Sequence, residues 1–157
     1  RGAAALEAAA EALAAAIQPF EAAPLFLHAR GRFASLRLAA ASAELSALAA
    51  ATVRELDAFR APPAEEELAR RRAAGLTPAQ EDNLRRWGYP YVMESFDFHL
   101  TLSGPRDPEG LEAIAKVLGP RIAPFAAAPL VVREIALFGD PGGGAPFRLL
   151  RRLPLGR

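Results

Sequence analysis

His99 and Thr101 stand two residues apart in the run Phe96-Asp97-Phe98-His99-Leu100-Thr101-Leu102-Ser103. An imidazole can give or take a proton near neutral pH, and a hydroxyl can donate a hydrogen bond to an anion. Apolar and polar residues alternate strictly through the run, which predicts a β-strand. On a strand His99 and Thr101 share one face, roughly 6.5–7 Å apart. Asp97 and Ser103 lie on that face too, and Asp97 could orient the His99 ring. Phe98, Leu100 and Leu102 fall on the other face, which the pattern predicts to be core. A rigid strand is a good place to hold a proton-transfer group beside a hydroxyl. Taken alone, the His-x-Thr triplet fits equally well a half-exposed histidine in an antiparallel sheet.

Other chemistries have less support. There is no cysteine, so disulfides, thiolate catalysis and zinc–thiolate sites are excluded together. The two histidines, His28 and His99, do not form a metal-ligand spacing, and neither a metal nor a cofactor is expected. Gly142-Gly143-Gly144 has no following helix and no Lys-Ser/Thr, so it reads as a hairpin turn and not as a phosphate loop. The formal net charge of +1 argues against long nucleic acid or an acidic membrane as partner. Basic charge is almost all arginine, with Lys116 the sole lysine, which looks like GC-rich coding. The stretch from Ala3 to Ile17 is short and carries Glu7 and Glu11, so it is neither a signal peptide nor a membrane span. A cytoplasmic location is expected. The chain starts at Arg1 on an Ala-rich helix, which reads as part of a longer protein.

The elements that position the polar strand follow in order. Residues 3–18 read as a helix with Leu6, Leu13 and Ile17 on one stripe, ended by Pro19. Strands are expected from Pro24 to Ala29 and from Phe33 to Ala39, joined at Gly31. In the second, Phe33, Ser35, Arg37 and Ala39 alternate with Ala34, Leu36 and Leu38. Ser42 can cap a helix reaching about Phe59, and a charged helix follows from about Ala64 to Ala73. Its Glu65–Glu67 and Arg70–Arg72 blocks suit the helix dipole and i,i+4 pairing. Thr77-Pro78-Ala79-Gln80 opens a further helix with a capping box, running to about Trp87. Asp107-Pro108 caps another, with Leu111, Ile114, Leu118 and Ile122 inward and a possible break at Gly119-Pro120. Strands at about Leu130–Phe138 and Phe147–Leu153 close the chain.

An internal repeat ties these pieces together. Leu6–Leu27 set against Leu111–Val132 without a gap matches Leu6/Leu111, Glu7/Glu112, Leu13/Leu118, Ile17/Ile122, Pro19/Pro124, Phe20/Phe125, Pro24/Pro129 and Leu25/Leu130. Alanine bias does not explain the matched Pro-Phe…Pro-Leu spacing. The repeat unit is strand, helix, strand, strand, complete in the second copy. The same offset applied to His99 falls just upstream of Arg1, where a second His-x-Thr/Ser strand is expected.

His99-Leu100-Thr101-Leu102 within such a duplicated unit resembles the two-histidine (2H, LigT-like) phosphoesterase superfamily. Arg60-Ala61-Pro62-Pro63, Gly75-Leu76-Thr77-Pro78 and Trp87-Gly88-Tyr89-Pro90-Tyr91-Val92-Met93-Glu94 resemble its bacterial branch associated with phosphonate-metabolism operons. The resemblance implies an α+β fold of two pseudo-symmetric lobes of antiparallel sheet with helices packed outside and an inserted helical segment, the first lobe incomplete in this chain. The corresponding divisions are 1–41, 42–94 and 95–157.

It further implies a metal-independent phosphodiesterase acting on a cyclic phosphate of a small sugar or nucleotide. Two imidazoles on opposite sides of a phosphorus would divide proton removal from water and protonation of the leaving oxygen. His99 would be one of them, and Thr101 would donate to a non-bridging oxygen. Tyr89 and Tyr91 would cap the groove or stack on the substrate; packing of the inserted helices is their other reading. His28 reads as a surface histidine or a phosphate contact. A non-catalytic module binding a phosphate or an RNA end is the alternative from a different class.

Overall fold

The computed structural model describes residues 2–157. In chain order the elements are α1 (Ala3–Ala16), β1 (Phe20–Ala22), β2 (Leu25–Arg30), β3 (Phe33–Leu38), α2 (Ala43–Leu56), α3 (Glu65–Arg72), α4 (Pro78–Trp87), β4 (His99–Thr101), α5 (Pro108–Ala126), β5 (Leu130–Val132), β6 (Glu134–Gly139) and β7 (Arg148–Pro154). Short 3-10 turns at Asp57–Phe59 and Met93–Ser95 follow α2 and precede β4. The fold is α+β with antiparallel sheets, as the sequence pattern predicts.

The chain divides into two compact units, each drawn from separated stretches. One contains Glu21–Glu44 and Asp97–Val132. Its sheet has the order β2-β3-β4, with both neighbouring pairs antiparallel. Helix α5 packs on β2 and β3. Its stripe is Leu111, Ile114, Leu118 and Ile122, with Leu111 buried. Opposite it lie Leu25, Leu27, Ala34 and Leu36, the sheet residues that alternate onto that face. Gly31 joins β2 to β3 at φ +71°, a value L side chains rarely adopt, so the two-residue turn depends on glycine at its first central position.

The other unit contains Arg1–Phe20, Leu45–Phe96 and Arg133–Arg157. Helix α1 packs on the β6–β7 hairpin and buries Ala10, Leu13 and Ala14. Leu153 and Leu155 are buried in the same unit. Its α4 carries the expected capping box: Thr77 Oγ1 accepts from Gln80 N, and Gln80 Oε1 accepts from Thr77 N. Gly88 ends that helix at φ +73°, where an added Cβ would meet the Arg60 guanidinium at 2.8 Å. Buried Asn83 donates to Val92 O and Glu94 Oε1, each at 3.0 Å. These bonds bracket Met93, the non-glycine residue held at φ +53° just before the chain enters β4.

The repeat is visible in three dimensions. Helices α1 and α5 begin at Ala3 and Pro108, the same offset as Leu6 to Leu111. Each packs on the hairpin that follows the other: α1 on β6–β7, α5 on β2–β3.

Four expectations need correction. The strand expected across Phe96–Ser103 is only His99–Thr101, because polar side chains take over the bonds at both ends. The His99 ring bonds Asp97 O, and Ser103 Oγ accepts from Ala34 N at 3.0 Å. The apolar face of this strand is not core: Leu100 and Leu102 are 44% and 40% exposed. Strand β4 lies at the sheet edge, while α5 covers β2 and β3. Finally, α5 continues through Gly119-Pro120 and Pro124 to Ala126, and the strand expected over 130–138 breaks at Arg133 into β5 and β6. Both prolines are exposed, where solvent can satisfy the carbonyls that lose an intrahelical donor.

Candidate functional site

The register of the three-stranded sheet collects the polar side chains on the face away from α5. Two rows cross it. In the first, Phe26 faces Arg37 and Arg37 faces His99; in the second, His28 faces Ser35 and Ser35 faces Thr101. Side-chain alternation then puts Arg30 and Phe33, themselves a cross-strand pair, on the same face. Central strand β3 thus sets Ser35 and Arg37 between a histidine on each flanking strand.

His99 is exposed, and its Nδ1 lies 2.8 Å from Asp97 O. A carbonyl oxygen can only accept, so Nδ1 carries the proton and Nε2 is the nitrogen left to exchange one with a ligand. The backbone of Asp97 therefore orients the ring. The Asp97 carboxylate is engaged elsewhere, pairing with Arg37 Nη1 at 2.8 Å. Arg37 Nε is buried without a hydrogen-bond partner. Leu102 N donates to Ala34 O at 2.8 Å, which together with the Ser103 bond fixes the edge strand beyond Thr101. The half-buried His28 ring meets Phe26 edge-on, with centroids 6.2 Å apart and planes at 81°.

These residues line a cavity of about 310 Å³. Strand β2 contributes His28 and Arg30, β3 contributes Phe33, Ser35 and Arg37, and β4 contributes His99 and Thr101. No carboxylate is in that lining. Hydroxyls, imidazoles and guanidinium groups that converge on one hollow can hold an anionic oxygen and move a proton to or from it. Among the described residues, no group of three or more His, Asp or Glu is placed to hold a metal ion, and no helix is long and apolar enough to cross a membrane.

Of the residues singled out from sequence, His99 and Thr101 are brought together here. Tyr89 and Tyr91 belong to the other unit and do not line this cavity. They pack edge-on at 5.6 Å, with the Arg71 guanidinium 4.6 Å from the Tyr89 ring centre. Sequence reasoning passed over Ser35, Arg37 and Arg30, and read His28 as a surface histidine or a phosphate contact. The signal was present in the alternation of Phe33, Ser35 and Arg37 opposite a strand carrying His28; what it lacked was the register linking that hairpin to His99.

The model of the family described as a protein of unknown function, DUF1045, matches residues 1–148. The chain belongs to this family. Curated relatives include two proteins named ribose 1,5-bisphosphate phosphokinase PhnN. The one from Janthinobacterium sp. (strain Marseille) is 38% identical over 115 residues, 71% of this chain and 25% of the relative. The one from Laribacter hongkongensis (strain HLHK9) is 36% identical over 124 residues, 76% of this chain and 27% of the relative. This DUF1045 chain thus spans about a quarter of the length of the curated relatives it matches. No solved structure matches it.

Proposed function

We propose that this DUF1045 chain carries a phosphoester site of the two-histidine type and acts as a metal-independent phosphodiesterase on the cyclic phosphate of a small sugar or nucleotide. The observation that carries the reading is the cavity lined by His28, Ser35, Arg37, His99 and Thr101 with no carboxylate among them. Such a lining attracts a phosphate and offers it hydroxyl, guanidinium and imidazole donors. The relatives' name, with its sugar bisphosphate, agrees with a small phosphorylated sugar as ligand. The link to phosphonate metabolism comes from the family resemblance of the sequence.

Kinase chemistry is not carried over from that name. The match covers about a quarter of each relative, and the glycine run at Gly142–Gly144 continues into Ala145-Pro146 with no Lys-Ser/Thr.

In the proposed reaction a water oxygen forms a new bond to phosphorus and one ring P–O ester bond breaks, giving a monoester and a free hydroxyl. The water proton passes to a base, and an acid protonates the leaving oxygen. His99 Nε2 performs one of these transfers, held by the Nδ1–H bond to Asp97 O. Thr101 and Ser35 hydroxyls and the Arg37 guanidinium face the charge that builds on the non-bridging oxygens. The other transfer falls to a second imidazole, as the two-histidine resemblance implies.

The test is incubation with a panel of cyclic sugar and nucleotide phosphates, followed by phosphorus NMR. Conversion of one of them to a monoester, undiminished by EDTA, supports the reading. Saturable binding with no conversion of any would replace it with the phosphate-binding module.

A further inference from the structure

Resting on that reading, we infer that the β2 end of the cavity is a second anion subsite, built by His28 and Arg30. The substrate then carries two anionic groups, of which one reacts and the other is only held. The two ends of the cavity differ in how far their cations are already committed. At the β4 end, beside His99 and Thr101, the Arg37 guanidinium is bonded to Asp97. At the β2 end His28 and Arg30 stand two residues apart on the same face, and the Arg30 guanidinium has no ion pair among the described residues. The Phe26 ring meets His28 edge-on beside them.

Spacing and shape support two groups and not one. Strands β2 and β4 are separated by β3, so the two ends lie roughly 9–10 Å apart at the backbone. That separation and a volume of about 310 Å³ leave room for a small sugar ring carrying a phosphate at each end. Phe33, 44% exposed and paired with Arg30 across the turn, offers an apolar surface to the ring between them. An imidazole and a guanidinium acting together suit a phosphate monoester, which accepts several charge-assisted bonds at once.

The experiment is calorimetric titration of the full chain with ribose 1,5-bisphosphate and with ribose 5-phosphate. The bisphosphate is expected to bind at least about tenfold tighter. Arg30→Gln and His28→Gln should each shrink that preference to about twofold or less, while Arg151→Gln on the β6–β7 hairpin leaves it intact. Circular dichroism checks that the variants stay folded; Arg30 is exposed, so its change carries little risk. Equal affinity for the two sugars, or a preference that survives both substitutions, overturns the subsite. Turnover of a cyclic phosphate alongside equal affinity would defeat the subsite alone. A preference erased by Arg30→Gln in a protein that hydrolyses no cyclic phosphate would uphold the subsite and defeat the hydrolase reading.

Discussion

The β2–β3 and β6–β7 hairpins are built alike and end up chemically opposite. Each is antiparallel and each is covered by the helix from the other repeat. The first gains a third strand, β4, and with it His99 and Thr101 beside Ser35 and Arg37. The second is two-stranded among the described residues, and two of its arginines are committed while Arg148 has no ion pair among the described residues. Arg151 pairs with Glu7 and Glu11 of α1, and Arg152 pairs with Glu134 of β6. The Glu7 hydrogen bond, with Glu11 nearby, holds the Arg151 guanidinium above even its usual high range. In the first hairpin one arginine is held by a single carboxylate and another by none. The helix–hairpin frame is thus common to both, and what the first adds is the third strand that brings His99 and Thr101 beside Ser35 and Arg37.

Substitutions can sharpen or break that contrast. The largest effect is expected from His99→Ala, which should lower kcat by about 10²–10⁴-fold while circular dichroism stays that of the parent. Collapse of the fold would instead make His99 a structural residue. Thr101→Val should lower kcat by about 10²-fold if its hydroxyl meets developing charge. Arg151→Gln, the control on the other hairpin, should leave turnover unchanged and reduce thermal stability. Next is Asp97→Asn. Because the Asp97 backbone and not its carboxylate orients the ring, kcat should fall far less than with His99→Ala. Equal losses would show that the carboxylate is the positioning group.

Smaller effects concern the frame. Gly31→Ala should destabilise by about 1 kcal/mol in denaturant unfolding, since the turn needs positive φ. The smallest concerns Glu81 at α4, whose carboxyl the Arg72 hydrogen bond holds below its ordinary range. Its contribution is present above the ordinary carboxylate value and disappears as pH falls through the lowered one. The Tm difference between parent and Glu81→Gln should therefore be greatest near neutrality and shrink on acidification. A difference that grows toward acid would contradict the pairing.

Local signals in the sequence carried far. The Thr77–Gln80 box, the Asp107-Pro108 cap and the glycine turn at Gly31 depend on a few adjacent residues, and each forms as expected. Long-range choices were less legible. Alternation put Leu100 and Leu102 on an apolar face, but only the placement of α5 over β2 and β3 decides whether that face is covered. Gly119-Pro120 reads as a helix break because propensity ignores that exposed carbonyls can turn to solvent. The same limit applies to the site. His99 and Thr101 share a strand and are found by spacing alone. His28, Ser35 and Arg37 join them only through a register between segments some sixty residues apart in the chain, for instance Arg37 to Asp97.

The most direct measurement uses the fact that the chain has only two histidines, His28 and His99. Their imidazole NMR signals can be followed at constant pH while inorganic phosphate is added. Both sets should shift saturably, and Arg37→Gln should weaken the His99 curve. If neither moves, or if the shifts rise linearly and are indifferent to Arg37→Gln, phosphate does not occupy this face.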